Sequence, residues 1–361
     1  MLSLILPTYN EAQNLPELVP QIERALGGMS FEIIIVDDDS PDRTWKAARG
    51  ISKDDAHVHV LRRIGRRGLS SAVIEGFLAA KGDVLAVMDA DGQHDMGILP
   101  KLAHAVTTNG GLAIGSRYAE GGSIGQWDER RHVMSRFATA FAIRLCRVTV
   151  KDPMSGFFAI HRSTFEEVLP RLNPKGFKIL LDLLMHVSRA TPVREVPFTF
   201  SNRRHGESKL SRRVQIEFLE YLYEACLGRY VPLTFVKYCL VGALGVAVNL
   251  GIYLVCSTLI AFDARFLGLS VPLLAGIEGA ILFNFLLNNV WTVAPVRLEG
   301  GGAILGFLRY NVACLFGAFA NYAVTAHLLS RSLGIVPAVA LGALVGMIWN
   351  YTMSRMFTWR V

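Results

Sequence analysis

Four apolar stretches, near residues 237–260, 271–293, 307–329 and 336–356, restrict this chain more than any other feature of it. Each is close to the ~20 residues that an α-helix needs to cross a bilayer. In lipid, backbone N–H and C=O groups must find partners inside the protein, so the stretches predict an all-α domain of four transmembrane helices over 232–361. Their connectors are short: Phe262–Ser270, Ala294–Ala303 and Ser330–Ile335. Arg297 lies in the second connector with Arg309 just beyond it, and Arg355 and Arg360 lie at the C-terminal end, whereas the first and third connectors hold Arg265 and Arg331 alone. This bias and the even number of spans predict the second connector and both termini on the cytosolic side. Glu278, Asn284, Asn288 and Asn289 fall within the second span, where polar groups are costly in lipid, so they are expected to face the bundle or a partner. Gly242-Ala243-Leu244-Gly245 and Gly342-Ala343-Leu344-Val345-Gly346 suit close helix packing.

The composition changes sharply at Pro232, so the overall 52% hydrophobic and 19% charged content is an average of two unlike parts. Of the net charge of +7, seven Lys+Arg against three Asp+Glu put +4 after Pro232 and leave +3 for residues 1–231. That mild excess lacks the dense basic patches of a nucleic-acid-binding protein. Five cysteines (Cys146, Cys226, Cys239, Cys256, Cys314) are scattered without a CxxC pair, and read as reduced thiols. The sequence opens directly on a strand pattern, so no leader is expected ahead of the first domain.

Residues 1–231 alternate strand and helix. Leu2–Pro7, Phe31–Val36, Val58–Leu61 and Val84–Met88 are apolar runs of strand length, separated by helical patterns over Leu15–Leu26, Thr44–Ile51 and Gly68–Ala80. Such alternation predicts an α/β domain with a doubly wound, mostly parallel sheet. Ligands of these sheets bind beyond the carboxyl ends of the strands. Three polar clusters fall there: Pro7–Glu11, Asp37–Asp39 and Asp89–Gln93.

The last of these clusters carries the most chemistry. Asp89 and Asp91, two residues apart after a strand, can converge on one hard cation, with the amide oxygen of Gln93 as a third ligand. Mg²⁺ or Mn²⁺ prefers such oxygens and keeps positions open for phosphates. Taken alone, Asp-x-Asp-Gly is also an ordinary turn. Tyr9 can stack on a nucleobase, Glu11 can accept from a ribose hydroxyl, and Asp37 or Asp39 from a base N–H or a ribose. The Gly68 loop permits close backbone approach at a helix N-terminus. With no GxGxxG or GxxxxGK[ST], the rim suits a nucleotide held by base, ribose and a metal-bridged diphosphate. Cationic residues gather in the second half of the domain at Arg130-Arg131, Arg203-Arg204, Lys209 and Arg212-Arg213, where Arg suits phosphate recognition.

Pro7-Thr8-Tyr9-Asn10-Glu11, Val36-Asp37-Asp38-Asp39-Ser40, Asp89-Ala90-Asp91-Gly92-Gln93-His94 and Gly115-Ser116-Arg117-Tyr118 together resemble family 2 glycosyltransferases of the GT-A fold. Asp152-Pro153-Met154-Ser155-Gly156-Phe157 and Gly206-Glu207-Ser208-Lys209 extend the resemblance, which is greatest to the polyprenyl-phosphate glycosyltransferases of the dolichol-phosphate mannose synthase type. It covers essentially all of 1–231, and the four spans resemble the GtrA-like membrane domains. Three departures stand out: Gly92 where Leu is more usual, Asp95-Met96 in place of Pro-Pro, and Gly68-Leu69-Ser70 in place of Gly-Leu-Gly.

The resemblance implies a role for each matching residue. Pro7, Tyr9, Asn10, Glu11, Val36, Asp37, Asp39, Gly68 and Ala90 would hold the nucleotide. Asp89, Asp91 and Gln93 would bind Mg²⁺ or Mn²⁺. Arg117, Arg131, Ser135, Arg203 and Lys209 would meet phosphates or the acceptor, completing a catalytic set with Asp89 and Asp91. The implied reaction carries mannose from GDP-mannose to a dolichyl or polyprenyl phosphate, at the cytosolic face of a multi-pass membrane protein. A phosphate acceptor is already an anion, so no general base is needed, which fits the lack of a Ser-His-Asp or Cys-His set. Direct displacement would invert the anomeric centre.

Amphipathic runs over 126–150 and 214–230 are expected to lie at the membrane interface. Two alternatives stay open: a UDP-sugar donor (glucose or aminoarabinose), and a transporter of lipid-linked sugar whose front domain only binds nucleotide. A processive polysaccharide synthase is disfavoured by the lack of Gln-x-x-Arg-Trp. For the membrane domain, anchoring, homo-oligomer formation and lipid transfer all remain open.

Overall fold

The computed structural model describes residues 1–123, 143–144, 149–174, 178–201, 212–228, 230–259, 265–266 and 269–360. The chain divides into two compact units, Met1–Cys226 and Leu227–Val361.

In the first unit, strands β1 (Leu2–Thr8), β2 (Phe31–Asp37), β3 (Val58–Arg62), β4 (Val84–Val87), β5 (Leu112–Ser116), β6 (Phe158–His161) and β7 (Val193–Pro197) form one sheet. Its order is β3-β2-β1-β4-β6-β5-β7. β6 is antiparallel to both β4 and β5, and every other pairing is parallel. Helices α1 (Leu15–Ala25), α2 (Thr44–Asp54), α3 (Leu69–Ala79) and α4 (Leu99–Asn109) connect the early strands, with α5 (Arg162–Val168), α6 (Ile179–His186) and α7 (Arg212–Leu227) later. The expected mostly parallel, doubly wound sheet is the one observed.

Successive strand side chains leave to opposite faces. Leu4, Leu6, Ile33, Ile35 and Ala86 pack with Leu15, Val19 and Ile22 of α1 and with Leu102 and Val106 of α4. On the other face, Ile5, Ile34, Val36, Leu85 and Val87 pack with Val73 and Phe77 of α3. Cover on both faces is why these strands read as unbroken apolar runs. A Cβ at Gly76 would come within 2.7 Å of Ile5, so glycine lets α3 close onto β1.

Register sets the rim. Pro7 pairs with Val36 and Thr8 with Asp37, while Ile5 pairs with Val87. The carboxyl ends of β2, β1 and β4 are therefore neighbours, and β1/β4 is where the strand order reverses, the usual ligand position in such sheets. Later in the chain, α7 buries Tyr221 and Leu222 and leaves Ile216 and Leu219 exposed. The Tyr221 hydroxyl donates to Asp182 Oδ1 of α6 at 3.1 Å.

Among the described residues, the second unit contains four helices long and apolar enough to span a bilayer: Leu233–Leu259, Val271–Thr292, Gly301–Ser330 and Ile335–Trp359. The protein is therefore a membrane protein, and large apolar side chains such as Val246, Leu254, Phe316, Phe319 and Val336 are exposed on these helices.

The four helices carry an internal repeat that hydropathy hides. In the first pair, Asn284 lies against Gly245 and Asn249 against Gly276; in the second, Asn350 lies against Gly317 and Asn321 against Gly342. Both pairs read Gly-x3-Asn on the first helix and Gly-x7-Asn on the second. The amide oxygens of Asn284 and Asn350 are buried with no conventional donor among the described residues. Their seats against glycine suit Cα–H···O contacts, a weak but recurrent helix–helix interaction. Each second helix also ends in a π-turn, Asn288–Thr292 and Ser354–Trp359. There Asn289 accepts from Trp359 Nε1 at 2.9 Å and from Leu298 N at 2.8 Å. Asn288 and Asn289 are buried in the bundle and Asn284 is partly buried, as their cost in lipid requires, whereas Glu278 is exposed and accepts from Asn311 Nδ2 at 2.9 Å.

Gly317→Val, which places side-chain atoms on Asn350, is expected to cost about 1–3 kcal/mol by overpacking. Gly251→Val, where an added Cβ would meet nothing within 4 Å beyond its own helix backbone, should be nearly silent. Melting curves of the two variants in detergent test this, and equal stabilities would remove the Asn-on-Gly assignment.

Candidate active site

The rim is built from loops whose own carboxylates hold them in shape. Asp37 is fully buried; it accepts from Ser40 N at 3.0 Å, from Ser40 Oγ at 2.5 Å and from Thr8 Oγ1 at 3.1 Å. To reach a base or a ribose it would have to exchange these bonds. Asp39, in left-handed backbone at φ 53°, pairs with Arg62 Nε at 2.7 Å. Asn10, also left-handed, is exposed and donates its N–H to Ser40 Oγ at 3.1 Å, and Glu11 donates its N–H to Thr44 Oγ1 at 2.9 Å. Pro7 and Tyr9 are partly buried beside them, Val36 is fully buried beneath, and the Arg67 guanidinium lies 4.8 Å over the Tyr9 ring.

Arg63 anchors the loop that precedes α3. Its side chain is wholly buried, with Nε on Asp38 Oδ1 at 2.7 Å, Nη1 on Ser71 Oγ at 2.9 Å and on Glu75 Oε1 at 3.1 Å, and Nη2 on the Gly68 carbonyl at 3.2 Å. The Gly68 N–H donates to Asp38 Oδ2 at 2.8 Å. One ion pair thus grips both polar groups of Gly68, whose φ of +139° suits glycine.

β4 ends in the Asp89–Gln93 loop. Asp89 keeps its side chain 38% exposed, whereas Ala90, Asp91 and Gln93 are buried. Gln93 donates its N–H to Asp91 Oδ1 at 3.1 Å and its Nε2 to the Ser201 carbonyl at 3.0 Å, which aims the amide of Gln93. His94 accepts from the Asp89 N–H at 3.3 Å and stacks on Phe157 at 4.9 Å between ring centroids, with Phe198 and Phe200 edge-on at 5.6 Å. Burial, aided by Arg117, holds its pKa at about 4 against the pull of Asp91 and Asp152, so the ring is neutral at pH 7. His94 is a structural prop for the loop.

A cavity of about 110 Å³ opens beside Asp89, walled by Arg117, Lys178, residues 153–156 and apolar groups that include Val73, Phe158 and Phe200. Arg117 meets Asp152 in a two-pronged pair, Nε to Oδ2 and Nη2 to Oδ1, both at 2.8 Å. Burial works against the guanidinium's charge, but Asp152 more than offsets it and holds the pKa above its ordinary value. A Cβ at Gly156 would lie 2.7 Å from Asp89 Oδ2, so only glycine leaves this carboxylate its room. The donor set is all oxygen, from Asp89, Asp91 and Gln93, and fits a hard Mg²⁺ or Mn²⁺ ion. A more open depression of about 610 Å³ behind the loop is lined by neither Asp89 nor Asp91.

Comparison with known proteins bears on this arrangement. Residues 3–169 match the family described as Glycosyl transferase family 2, and residues 237–359 match GtrA/DPMS, transmembrane domain. A dolichol-phosphate mannosyltransferase of Pyrococcus furiosus is 39% identical over 363 aligned residues, covering 99% of each chain. This chain belongs to the family 2 glycosyltransferases. It combines that domain with a GtrA/DPMS membrane domain. The Saccharomyces cerevisiae enzyme of the same name is 39% identical over 63% of this chain and 88% of its own. A polyprenol monophosphomannose synthase of Mycolicibacterium smegmatis is 38% identical over 58% of this chain and 80% of its own.

Within this glycosyltransferase, Asp89, Asp91 and Gln93 share the loop after β4, Asp89 and Arg117 line one cavity, Tyr9, Glu11 and Asp39 follow the neighbouring strand ends, and Gly68 caps α3. Arg131, Ser135, Arg203 and Lys209 lie outside the described residues, as does most of the amphipathic run over 126–150. Sequence reasoning assigned no role to Asp38, Arg63, Asp152 or Lys178. Asp152 stood in a recognised motif, but nothing in the order of residues marks Arg63 as the buried member among Arg62, Arg63, Arg66 and Arg67. Asp152→Ala would leave the Arg117 guanidinium without this carboxylate and is expected to cost about 3–5 kcal/mol. A double-mutant cycle with Arg117→Met, read by denaturant unfolding, should recover part of that loss. Strict additivity would show that the pair does not act as a unit.

Proposed function

We propose that this glycosyltransferase carries mannose from GDP-mannose to a polyprenyl monophosphate, with inversion, at the cytosolic face of the membrane. The observation that carries the reading is the whole-length likeness to the Pyrococcus furiosus dolichol-phosphate mannosyltransferase, across both domains at 39% identity. The rim adds chemical support, since an all-oxygen loop at Asp89–Gln93 adjoins a cation-lined cavity. The Arg residues of the second connector and the C-terminus support the cytosolic orientation.

Asp89, Asp91 and the Gln93 amide oxygen would hold Mg²⁺ or Mn²⁺, which when bound neutralises charge growing on a departing diphosphate. The acceptor phosphate oxygen attacks the anomeric carbon as the bond to the diphosphate breaks, and no proton need move. The chain's own work is then to position and to screen. Asp38 and Arg63 fix the Gly68 loop against the nucleotide rim. Arg117, held by Asp152, presents a fixed guanidinium to the cavity. Apolar walls thin the water around these charges and strengthen their pull.

The purified full-length protein, given radiolabelled GDP-mannose and a polyprenyl phosphate in detergent, is expected to form mannolipid. Chelation with EDTA should abolish the product, and Asp91→Ala should lower the rate at least ~10²-fold. Gly156→Ala should weaken Mn²⁺ binding, because its methyl displaces the Asp89 carboxylate. Glucolipid from UDP-glucose instead would overturn the donor, and no lipid product from any donor would overturn the enzyme reading.

A further inference from the structure

The cavity beside Asp89 contains a group that the mechanism above does not use. Lys178, immediately ahead of α6, lines it from the side of the 178–180 segment, whereas Asp89 enters from the end of β4 and Arg117 from the end of β5. The Lys178 ammonium donates to the Met154 carbonyl at 3.4 Å. That carbonyl belongs to the turn that also carries Gly156, the residue in close approach to Asp89 Oδ2. Among the described residues, the charged side chains in the wall are thus Asp89, Arg117 and Lys178, with His94 neutral and the remaining lining largely apolar.

Placing an ammonium here is costly in the free protein. Burial first, and Arg117 next, push the Lys178 pKa down to about 8 against the pull of Asp89 and Asp152. A neutral sugar hydroxyl would do little to offset that cost, since it brings no charge. An entering anion would offset it directly, and in a small, apolar-walled space its interaction with the ammonium is strong. The anions of the proposed reaction are phosphates.

We propose that Lys178 is a catalytic residue that donates from its ammonium to a phosphate oxygen bound in the cavity between Asp89 and Arg117. The inference rests on the polyprenyl-phosphate transfer reading and extends it. The phosphate belongs either to the acceptor monophosphate or to the departing diphosphate, which present the same oxygens. In either case the C–O bond from the anomeric carbon to the diphosphate breaks, with its electron pair leaving on the diphosphate oxygen. The new bond forms to the acceptor oxygen, and Lys178 keeps its proton throughout. Lys178 and Arg117 come from segments far apart in sequence, so the pair of cations exists only in the folded domain.

The test compares full-length wild type with Lys178→Met, Lys178→Gln and Lys178→Arg in detergent. Steady-state rates are measured with donor and acceptor varied separately, and GDP binding with Mn²⁺ is measured by calorimetry. Lys178→Met is expected to lower kcat by ~10²-fold, the usual consequence of losing one charged donor to a developing anion. Lys178→Arg should keep a substantial share of the rate, and Lys178→Gln should not. A raised KM for polyprenyl phosphate with unchanged GDP affinity assigns the contact to the acceptor. Weakened GDP·Mn²⁺ binding assigns it to the diphosphate. Should Lys178→Met unfold, the Arg and Gln variants carry the comparison, and equal rates for these two would overturn the proposal. Unchanged kcat, both KM values and GDP affinity in Lys178→Met would overturn it as well. If wild type transfers no sugar from any donor, the functional reading falls separately, and the calorimetric comparison alone decides whether Lys178 meets a diphosphate.

Discussion

A row of carboxylates at the ends of neighbouring parallel strands repels itself and loses hydration, so it persists only where the fold supplies donors and counter-charge. Each loop at this rim shows how that is done. Asp37 is held by Thr8 and Ser40, Asp38 by Arg63 and the Gly68 N–H, and Asp39 by Arg62. Asp152 is held by Arg117. These interactions shape the loops before any ligand arrives, so the order cost of binding is partly met by folding. Asp89, beside a glycine that leaves it room, keeps its side chain 38% exposed, close to the 35% of Asp39 and unlike the buried Asp37 and Asp152.

Preorganisation of this kind links the core to the chemistry. Apolar burial on both faces of β1, β2 and β4 locks their register, and the register brings Thr8 level with Asp37. His94 carries the same logic one step further. Its ring belongs to an aromatic cluster with Phe157, Phe198 and Phe200, yet its Nδ1 receives the Asp89 N–H. A packing contact therefore fixes the backbone of the loop proposed to hold the metal.

In the membrane unit the constraint is different. Lipid offers no hydrogen bonds, so side-chain amides must be seated within the bundle. Seating Asn284 on Gly245 and Asn350 on Gly317 satisfies shape and polarity together, and the same device appears in both helix pairs. Hydropathy could locate the four spans because transfer to lipid depends on summed side-chain character. It could not expose the repeat, because the repeat resides in four glycines and four asparagines scattered among interchangeable apolar residues.

Much of the front domain was legible as well. Strand runs, their alternation with helices and the three polar clusters depend on local periodicity and on where chains must turn, and both are written in neighbouring residues. The sequence alone therefore determined the α/β sheet, the four spans, the family and the composition of the carboxylate rim. Tertiary structure decided which charges answer which. Arg63 is buried while Arg66 and Arg67 are exposed, Arg117 finds Asp152 across 35 residues, and Lys178 turns into the cavity of Asp89. An arginine or lysine looks alike in sequence wherever it falls. Its role depends on burial and on partners brought close by chain segments that only the folded sheet places side by side.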